Sequence, residues 1–213
     1  MDQLSGIKNI IFDLGGVIIN IDYKLTLAEF KKLGLRDVEK IYTQFSQMEW
    51  FDNYDRGRIS SEVFVTEFSK LLEPGTSQKQ IISAWNAMLL DFPQERAELL
   101  LKLRSRYRTF LLSNTNEIHI DYFFQRNREL YGYEGMNQFF ESDYYSHRLG
   151  MRKPDVEIFE YVVHENDMNP IETLFIDDTL QHVEGARRAG LKAYHLVAPE
   201  TILDVFPGVM SRV

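Results

Sequence analysis

The chain has 213 residues, a length typical of one domain or of one domain that carries an insertion. Its hydrophobic fraction of 44% and charged fraction of 26% are ordinary for a globular protein and argue against disorder. The net charge of −8 argues against a broad surface for nucleic acid or anionic membrane, and the absence of cysteine excludes disulfides and thiolate chemistry. With no signal-peptide pattern and no segment apolar enough to span a bilayer, we expect a cytoplasmic protein.

The first predicted element is a buried parallel strand that ends at a carboxylate. A short run rich in β-branched residues, Ile7 to Phe12, is followed by Asp13 and then by the glycines Gly15 and Gly16. An unpaired carboxylate at the end of a buried strand is costly unless a partner or ligand meets it. Asp13 is therefore a candidate site residue, and a plain cap of the following turn is the open alternative.

A helical insertion follows this strand. Between residues 21 and 92, apolar residues recur at helical spacing in four groups, which predicts a small four-helix bundle. The groups are Leu25, Ala28, Phe30 and Leu33; Val38, Ile41, Tyr42 and Phe45; Val63, Phe64, Phe68, Leu71 and Leu72; and Ile81, Ile82, Trp85, Met88 and Leu89. Ser60 is a predicted N-cap, and Thr76-Ser77 begins the next helix. The segment Trp50 to Arg58 is polar and aromatic enough to line a sugar pocket between insertion and core.

Strands and helices alternate from Pro93 onward. The predicted strands are Thr109–Leu112, Phe139–Tyr145, Thr173–Ile176 and Ala193–Val197. The predicted helices run from Pro93 to Arg106, through Ile118, Tyr122 and Phe123, from Pro154 onward, and from Gln181 to Ala189, where Gly190 ends the last of them. In the first of these helices we expect Ala97, Leu100, Leu101 and Leu103 to face inward. This alternation predicts an α/β fold with a doubly wound, Rossmann-like parallel sheet. We expect a core of residues 1–20 and 93–213 and a helical cap of residues 21–92.

Polar residues stand at the ends of these strands. Asp13, Ser113-Asn114 and Asp177-Asp178 each follow a strand, and Lys153 lies in a loop before a helix. Because the carboxyl ends of parallel strands meet at one edge, these groups can converge. Converging carboxylates repel one another unless a cation holds them, and an all-oxygen donor set suits Mg²⁺. Each residue alone also fits a structural role, a helix cap or a solvated lysine, but their joint occurrence favours phosphate chemistry with an Asp nucleophile.

The same residues resemble a known family. The segments Asp13–Val17, Leu112–Asn116, Gly150–Pro154 and Phe175–Thr179 are similar, in order and spacing, to the four motifs of the haloacid dehalogenase-like (HAD) hydrolases. The resemblance spans the core and is nearest to the branch of α-D-glucose-1-phosphate phosphatase and the phosphatase domain of soluble epoxide hydrolase. It implies a Mg²⁺-dependent phosphomonoesterase that acts on a small phosphorylated metabolite, with a sugar phosphate as the expected substrate. From the net charge we expect no nucleic-acid or membrane partner.

The resemblance also implies roles for individual residues. Asp13 would be the nucleophile and a Mg²⁺ ligand, together with Asp178 and the backbone carbonyl of Gly15. Asp177 would be a weaker ligand or would orient Lys153 or a metal-bound water. The phosphate-binding set would be Ser113, Asn114, Lys153, Gly15 and Gly16.

Two positions depart from the family pattern. Most phosphatases of the family have a second Asp two residues after the nucleophile as the acid–base group, whereas Gly15 stands there. Asp22 is our candidate for the missing proton donor, and a hinge-loop cap is its alternative role. His182, in place of the usual Asn or Asp, would either hydrogen-bond Asp178 or face the helix surface, and we expect the second. Arg152 would assist phosphate binding or face solvent, and His119, His147, His164 and His195 show no ligand spacing.

Two other functions stay open at this point. The lack of a side chain at Gly15 also fits a catalytically weakened relative that binds a ligand or regulates a partner. A receiver-like phosphoacceptor module also combines an Asp with paired acids, but there the paired acids follow the first strand, and an insertion of about 70 residues has no place. A dehalogenase needs no metal, so the Asp pair argues against it.

Overall fold

The computed structural model describes residues 4–36 and 49–210; the second predicted cap group, Val38 to Phe45, lies outside them. Within the described residues one sheet of five parallel strands has the order β3-β2-β1-β4-β5. The strands are β1 Asn9–Phe12, β2 Arg108–Ser113, β3 Ser142–Tyr145, β4 Thr173–Asp177 and β5 Lys192–His195. The predicted doubly wound α/β fold is confirmed, and β1 is the central strand, with the ends of β2 and β4 on either side of it.

Helices cover the sheet and form the insertion. Those of the insertion are α1 Tyr23–Lys32, α2 Glu49–Asp55, α3 Ser61–Ser69 and α4 Gln78–Asn86. Those of the core are α5 Gln94–Arg104, α6 Glu117–Tyr131, α7 Ser146–Leu149, α8 Val156–Glu165, α9 Leu180–Arg188, α10 Ile202–Val205 and α11 Pro207–Met210, with a 3₁₀ turn at Pro170–Glu172. No helix in the described ranges is long and apolar enough to cross a membrane.

The central strand is buried on both faces. Ile10 and Phe12 pack in the layer that contains Leu100, whereas Ile11 packs in the opposite layer with Phe159. Side chains of a strand alternate between the two faces, so a strand covered on both sides needs a continuous apolar run. This is why the three residues directly before Asp13, Ile10 to Phe12, are all apolar, and why the strand delivers the carboxylate at a fixed place.

The described cap helices pack around an aromatic cluster. Phe30 stacks on Phe68 with ring centroids 4.2 Å apart, and Phe64 and Trp85 lie beside them. Ser60 and Ser77 cap α3 and α4 as predicted.

Five of the apolar cap residues predicted at helical spacing do not face the cluster. Val63 is 45% exposed, Leu25 41%, and Leu71 and Ile82 37% each, and Ala28 is exposed as well. Val63 precedes the buried face of α3, which is formed by Phe64, Val65 and Phe68.

Two linkers join cap and core side by side. The amide N–H of Asn20 donates to the Asp91 carbonyl at 2.9 Å, the N–H of Leu90 to the Asn20 carbonyl at 3.0 Å, and the N–H of Asp22 to the Met88 carbonyl at 3.0 Å. The chain therefore leaves and re-enters the core at one point. The predicted boundaries of the cap, residues 21 and 92, stay a prediction that this pairing supports.

Some core predictions need correction at their edges. Leu101 is 49% exposed while Leu99 is fully buried, because Leu101 lies on the solvent side of the face that Leu100 and Leu103 present to the sheet. Helix α5 begins one residue after Pro93, and α8 begins at Val156 rather than at Pro154. The strand predicted from Phe139 begins at Ser142, since the two phenylalanines before it are buried in the core ahead of the strand, and β5 ends at His195 rather than at Val197.

Candidate active site

The buried ammonium of Lys153 connects two of the predicted carboxylates. Its side chain is fully buried, and its Nζ lies 2.8 Å from Asp13 Oδ1 and 2.7 Å from Asp177 Oδ2. Nζ also donates to the Leu112 carbonyl at 2.9 Å, so all three ammonium hydrogens have acceptors. Burial alone would lower the pKa of Lys153, but the two carboxylates outweigh it and raise the pKa above its ordinary value. Lys153 is therefore a fixed positive charge beside Asp13.

Asp177 has hydrogen-bond partners in addition to Lys153. Its Oδ1 accepts from the Thr179 N–H at 2.8 Å, and His182 Nδ1 lies 3.1 Å from each of its oxygens. Burial would raise the pKa of Asp177, but Lys153 and His182 outweigh it and hold the pKa well below its usual range. The expectation that His182 faces the helix surface or bonds Asp178 is wrong, because its ring turns inward to Asp177.

Three carboxylates converge at this edge. Asp13, Asp177 and Asp178 each offer an oxygen within 4.8 Å of the others. Burial raises the pKa of Asp13 to about 7; Lys153 opposes this rise, while Asp177 and Asp178 add to it. Burial, followed by repulsion from Asp177, also raises the pKa of Asp178. One lysine leaves this cluster with excess negative charge, and three carboxylates with oxygens this close together fit a hard divalent cation such as Mg²⁺.

The glycine turn after β1 lies in close contact with this cluster. Gly16 has φ +72°, and a Cβ placed on it would lie 2.1 Å from Asp178 Oδ2. A Cβ on Gly15 would lie 2.4 Å from Ile21 Cδ1, so Ile21 covers the position where most relatives of the resembled family carry their acid. Only the absence of a side chain at Gly16 lets the turn approach Asp178 this closely.

Ser113 and Asn114 border the same cavity as Asp13 but differ in what they contact. Ser113 ends β2, is 3% exposed and borders the same cavity as Asp13. Asn114 Nδ2 donates to the Lys153 carbonyl at 2.8 Å, and the Lys153 N–H donates to Asn114 Oδ1 at 2.9 Å. The amide of Asn114 thus fixes the backbone that carries the buried lysine.

A cavity of about 400 Å³ lies between the core edge and the cap. Phe51 and Asp55 of the predicted Trp50 to Arg58 segment line it, as do Trp85 and Met88 from farther along the chain. Arg152, for which solvent exposure was an alternative, also lines this cavity and pairs with cap carboxylates. Cap and core therefore share one chamber with Asp13 at its base.

Asp22 does not border this chamber. Its Oδ1 accepts from the Lys24 N–H at 2.9 Å, which makes it the N-cap of α1. The described residues that line the cavity include its neighbours Ile21 and Tyr23 but not Asp22. Its role as a proton donor stays a prediction.

A family model for the haloacid dehalogenase-like hydrolases matches residues 7–190. The chain belongs to this family. The resemblance predicted from the four motifs is confirmed, and they contribute Asp13, Ser113, Lys153 and Asp178 to a single edge of this HAD-like hydrolase.

Similar proteins include phosphatases. D-Ribitol-5-phosphate phosphatase of Bacteroides thetaiotaomicron is 29% identical, over 88% of this chain and 91% of its own length. A sesquiterpene phosphatase of Aspergillus oryzae is 28% identical over 89% of each chain. A crystal structure of a HAD family enzyme from Bacteroides thetaiotaomicron, an aspartate-to-alanine mutant in complex with magnesium and inorganic phosphate, matches with a TM-score of 0.87 and 34% identity, over 94% of this chain and 98% of that one.

Asn116 and His119 line the cavity of this HAD-like hydrolase, although neither was predicted to do so. Asn116 accepts at Oδ1 from Trp85 Nε1 at 3.3 Å and from the His119 N–H at 3.1 Å. His119 stacks on Trp85, and burial lowers its pKa to about 4, so its ring is neutral. Asp55 was predicted only as one member of the Trp50 to Arg58 segment. Asn116 could have been found as the N-cap that follows the polar run after β2, but the positions of Asp55 and His119 depend on how the cap docks.

Proposed function

We propose that the protein is a Mg²⁺-dependent phosphatase that hydrolyses the phosphate monoester of a small polyhydroxylated metabolite, a sugar or alditol phosphate, through an aspartyl-phosphate on Asp13. The observation that carries the proposal is the contact of Lys153 Nζ with Asp13 Oδ1, 2.8 Å, inside a cluster of carboxylates at the base of the cavity between core and cap. The phosphatase relatives and the magnesium and phosphate in the Bacteroides structure support it.

The residues of the cluster divide the chemistry. Asp13 attacks phosphorus, and Lys153 and the Ser113 hydroxyl stabilise the negative charge of the transferred phosphoryl group. Asp177 orients Lys153, and Asn114 fixes the backbone of that residue. Asp13, Asp178 and the Gly15 carbonyl would hold Mg²⁺, which neutralises phosphate charge when bound. Gly16 allows the turn to sit against Asp178.

The cavity favours a substrate with hydroxyl groups. Its lining includes the polar side chains of Asp55, Arg152 and Asn116 and the aromatic side chains of Phe51 and Trp85. Carboxylate, guanidinium and amide groups hydrogen-bond hydroxyls, while aromatic rings contact the carbon chain of a sugar. An isoprenoid chain would instead press hydrocarbon against a carboxylate and a guanidinium, which is unfavourable. The ribitol phosphate phosphatase is therefore a better guide to the substrate class than the sesquiterpene phosphatase.

A substrate panel tests this proposal. We expect phosphate release from alditol and sugar phosphates above that from nucleotides and farnesyl phosphate, loss of activity with EDTA, and recovery with Mg²⁺. Asp13→Asn serves as the inactive control. If no compound released phosphate, the protein would instead be a catalytically weakened relative. Stable phosphorylation without turnover would favour a phosphoacceptor. A receiver-like module, however, does not fit a chain that belongs to the HAD-like hydrolases. A cytoplasmic location stays a prediction.

A further inference from the structure

The proposed reaction leaves one proton unassigned. When the ester bond breaks, the oxygen of a sugar or alditol leaves as a poor leaving group unless an acid protonates it. In this chain Gly15 offers no side chain for that task, and Ile21 covers the adjoining space. The group must therefore come from elsewhere in the cavity.

Few cavity residues can both give and take a proton near neutral pH. Among the described residues that line the chamber, the carboxylates and imidazoles are Asp13, Asp55, His119, Asp178 and His182. Asp13 and Asp178 belong to the carboxylate cluster, and His182 bonds Asp177. His119 uses Nε2 on the Trp85 carbonyl at 3.2 Å and stacks on that ring. Asp55 remains.

Asp55 lines the cavity from the cap and contacts two core segments. It is the last residue of α2, and its side chain is 16% exposed. Arg152 Nη2 lies 3.5 Å from Asp55 Oδ2, and the Asn116 side chain hydrogen-bonds the same carboxyl. Asn116 begins the helix after Ser113, and Arg152 precedes Lys153, so Asp55 faces the two loops that flank Asp13.

Ion pairs fix α2 against the core at this point. Arg152 Nη1 lies 3.0 Å from Asp52 Oδ1, Arg56 Nη2 lies 2.9 Å from Asp155 Oδ2, and Arg56 Nε lies 2.8 Å from Asp52 Oδ2. The carboxyl of Asp55 is therefore positioned in the chamber only while the cap is docked. This coupling would assemble the acid over a bound substrate.

We infer that Asp55, supplied by the cap, is the general acid and base of this reaction. In the first step Asp13 bonds to phosphorus, the bond from phosphorus to the substrate oxygen breaks, and Asp55 gives its proton to that oxygen. In the second step a water attacks the phosphorus of the aspartyl-phosphate, its proton goes to Asp55, and the bond to Asp13 breaks. Phosphate leaves, and both side chains return to their first state.

The surroundings of Asp55 suit this role. Burial raises its pKa, while Arg152 and the Asn116 hydrogen bond oppose the rise. The other charged neighbours are Asp52 of its own helix and Arg56, which directly follows that helix. A dianionic phosphate ester bound nearby adds negative charge and favours the protonated carboxyl, which is the form that the first step needs.

Transient kinetics of Asp55→Asn test the inference, which rests on the proposed function. The leaving group of 4-nitrophenyl phosphate departs without a proton, so the first step should stay fast in this variant. The second step should be slow because no base activates the water, and we therefore expect a burst of about one nitrophenolate per site followed by slow turnover. With an alditol phosphate we expect no burst and a kcat lower by about 10²–10⁴-fold, the usual contribution of a general acid. The burst itself shows that the variant is folded and that Asp13 reacts.

Controls separate the competing explanations. The exposed Asp121→Asn serves as a matched surface change, and Asp22→Asn tests the rival donor. Wild-type kcat for Asp55→Asn with a raised KM would make Asp55 a substrate-binding group and overturn the inference, as would loss of the alditol reaction in Asp22→Asn alone. Loss of the burst in a folded Asp55→Asn would overturn it as well. Failure of wild-type protein to release phosphate from any ester would instead refute the proposed function.

A measurement on unaltered protein provides a second test. The single-turnover rate of wild type on the alditol phosphate should fall as pH rises above the raised pKa of Asp55, because the acid is then deprotonated. The burst with 4-nitrophenyl phosphate should lack this alkaline fall. The same fall with both substrates would contradict a proton donated by Asp55.

Discussion

The base and the roof of the cavity are built in different ways. The base consists of residues at the ends of β1, β2 and β4, where the sheet and the buried Lys153 fix each carboxylate. The roof comes from cap helices that meet the core through ion pairs such as Arg56 with Asp155, whose side chains are 14% and 41% exposed. The difference separates reaction chemistry, fixed by the sheet, from proton donation and substrate choice, which depend on cap docking.

The largest expected effect is at the base, from Lys153→Met. This change leaves the buried carboxylates of Asp13 and Asp177 without their cation, and breaking a buried ion pair typically costs about 3–5 kcal/mol. We expect a loss of that order in the free energy of unfolding, measured in urea, together with loss of phosphate release. Lys8→Met, which breaks an exposed pair with Glu172, should cost less than about 1 kcal/mol. Equal stability of the two variants would show that the base does not depend on Lys153.

The next effect concerns the cation. Asp178→Asn should raise the Mg²⁺ concentration needed for half-maximal activity by at least about 10-fold, since even partners outside the ligand shell contribute 10–100-fold to metal affinity. Asp143→Asn, on β3 and away from the cluster, serves as the control. An unchanged Mg²⁺ requirement in Asp178→Asn would remove that residue from the ligand set.

A pair of glycine variants isolates the close approach of the turn. Gly16 and Gly150 have φ of +72° and +73°, but only at Gly16 does a new Cβ meet Asp178. Each Gly→Ala change should cost about 1–2 kcal/mol through its left-handed backbone. Only Gly16→Ala should also weaken Mg²⁺ activation. Equal Mg²⁺ curves for both variants would show that the contact with Asp178 has no role.

A further test of the base is the pH dependence of stability in metal-free protein. The folded pKa of Asp13 is raised from 3.8 to about 7. The folded state thus keeps a proton that the unfolded state loses, and the free energy of unfolding should fall as pH rises from about 4 to about 7. Asp13→Asn should remove this contribution, so the difference between the two proteins in urea unfolding with EDTA isolates it. A wild-type curve parallel to that of Asp13→Asn would contradict the raised pKa.

The comparison also explains what the sequence could predict. Asp13, Ser113 and Asp178 follow strands directly, so the parallel sheet alone brings them together. The cap helices and their N-caps Ser60 and Ser77 could also be predicted, because helical spacing and N-cap residue types are local features of the sequence. The bonds of Asn114 to the Lys153 backbone and of His182 to Asp177 were not, because they depend on side-chain geometry at the ends of elements.

The roof was less predictable for a physical reason. Helical spacing tells which residues share a face but not which face meets the core. Val63 and Leu25 therefore proved exposed, and the segment from Trp50 to Arg58 was predicted to line a pocket without any indication that Asp55 would be one of the residues facing it. The candidate donor Asp22 illustrates the same limit, since its place near the turn in sequence put it at the start of α1 and outside the chamber.

The central claim is that Asp13 carries the phosphoryl group. Rapid acid quench of wild-type protein during turnover with Mg²⁺, followed by peptide mass spectrometry, measures this most directly. We predict one added phosphoryl group on the peptide that contains Asp13, absent in Asp13→Asn and absent with EDTA. Phosphate release at the normal rate with no phosphorylated intermediate, or with the group on another residue, would contradict the account.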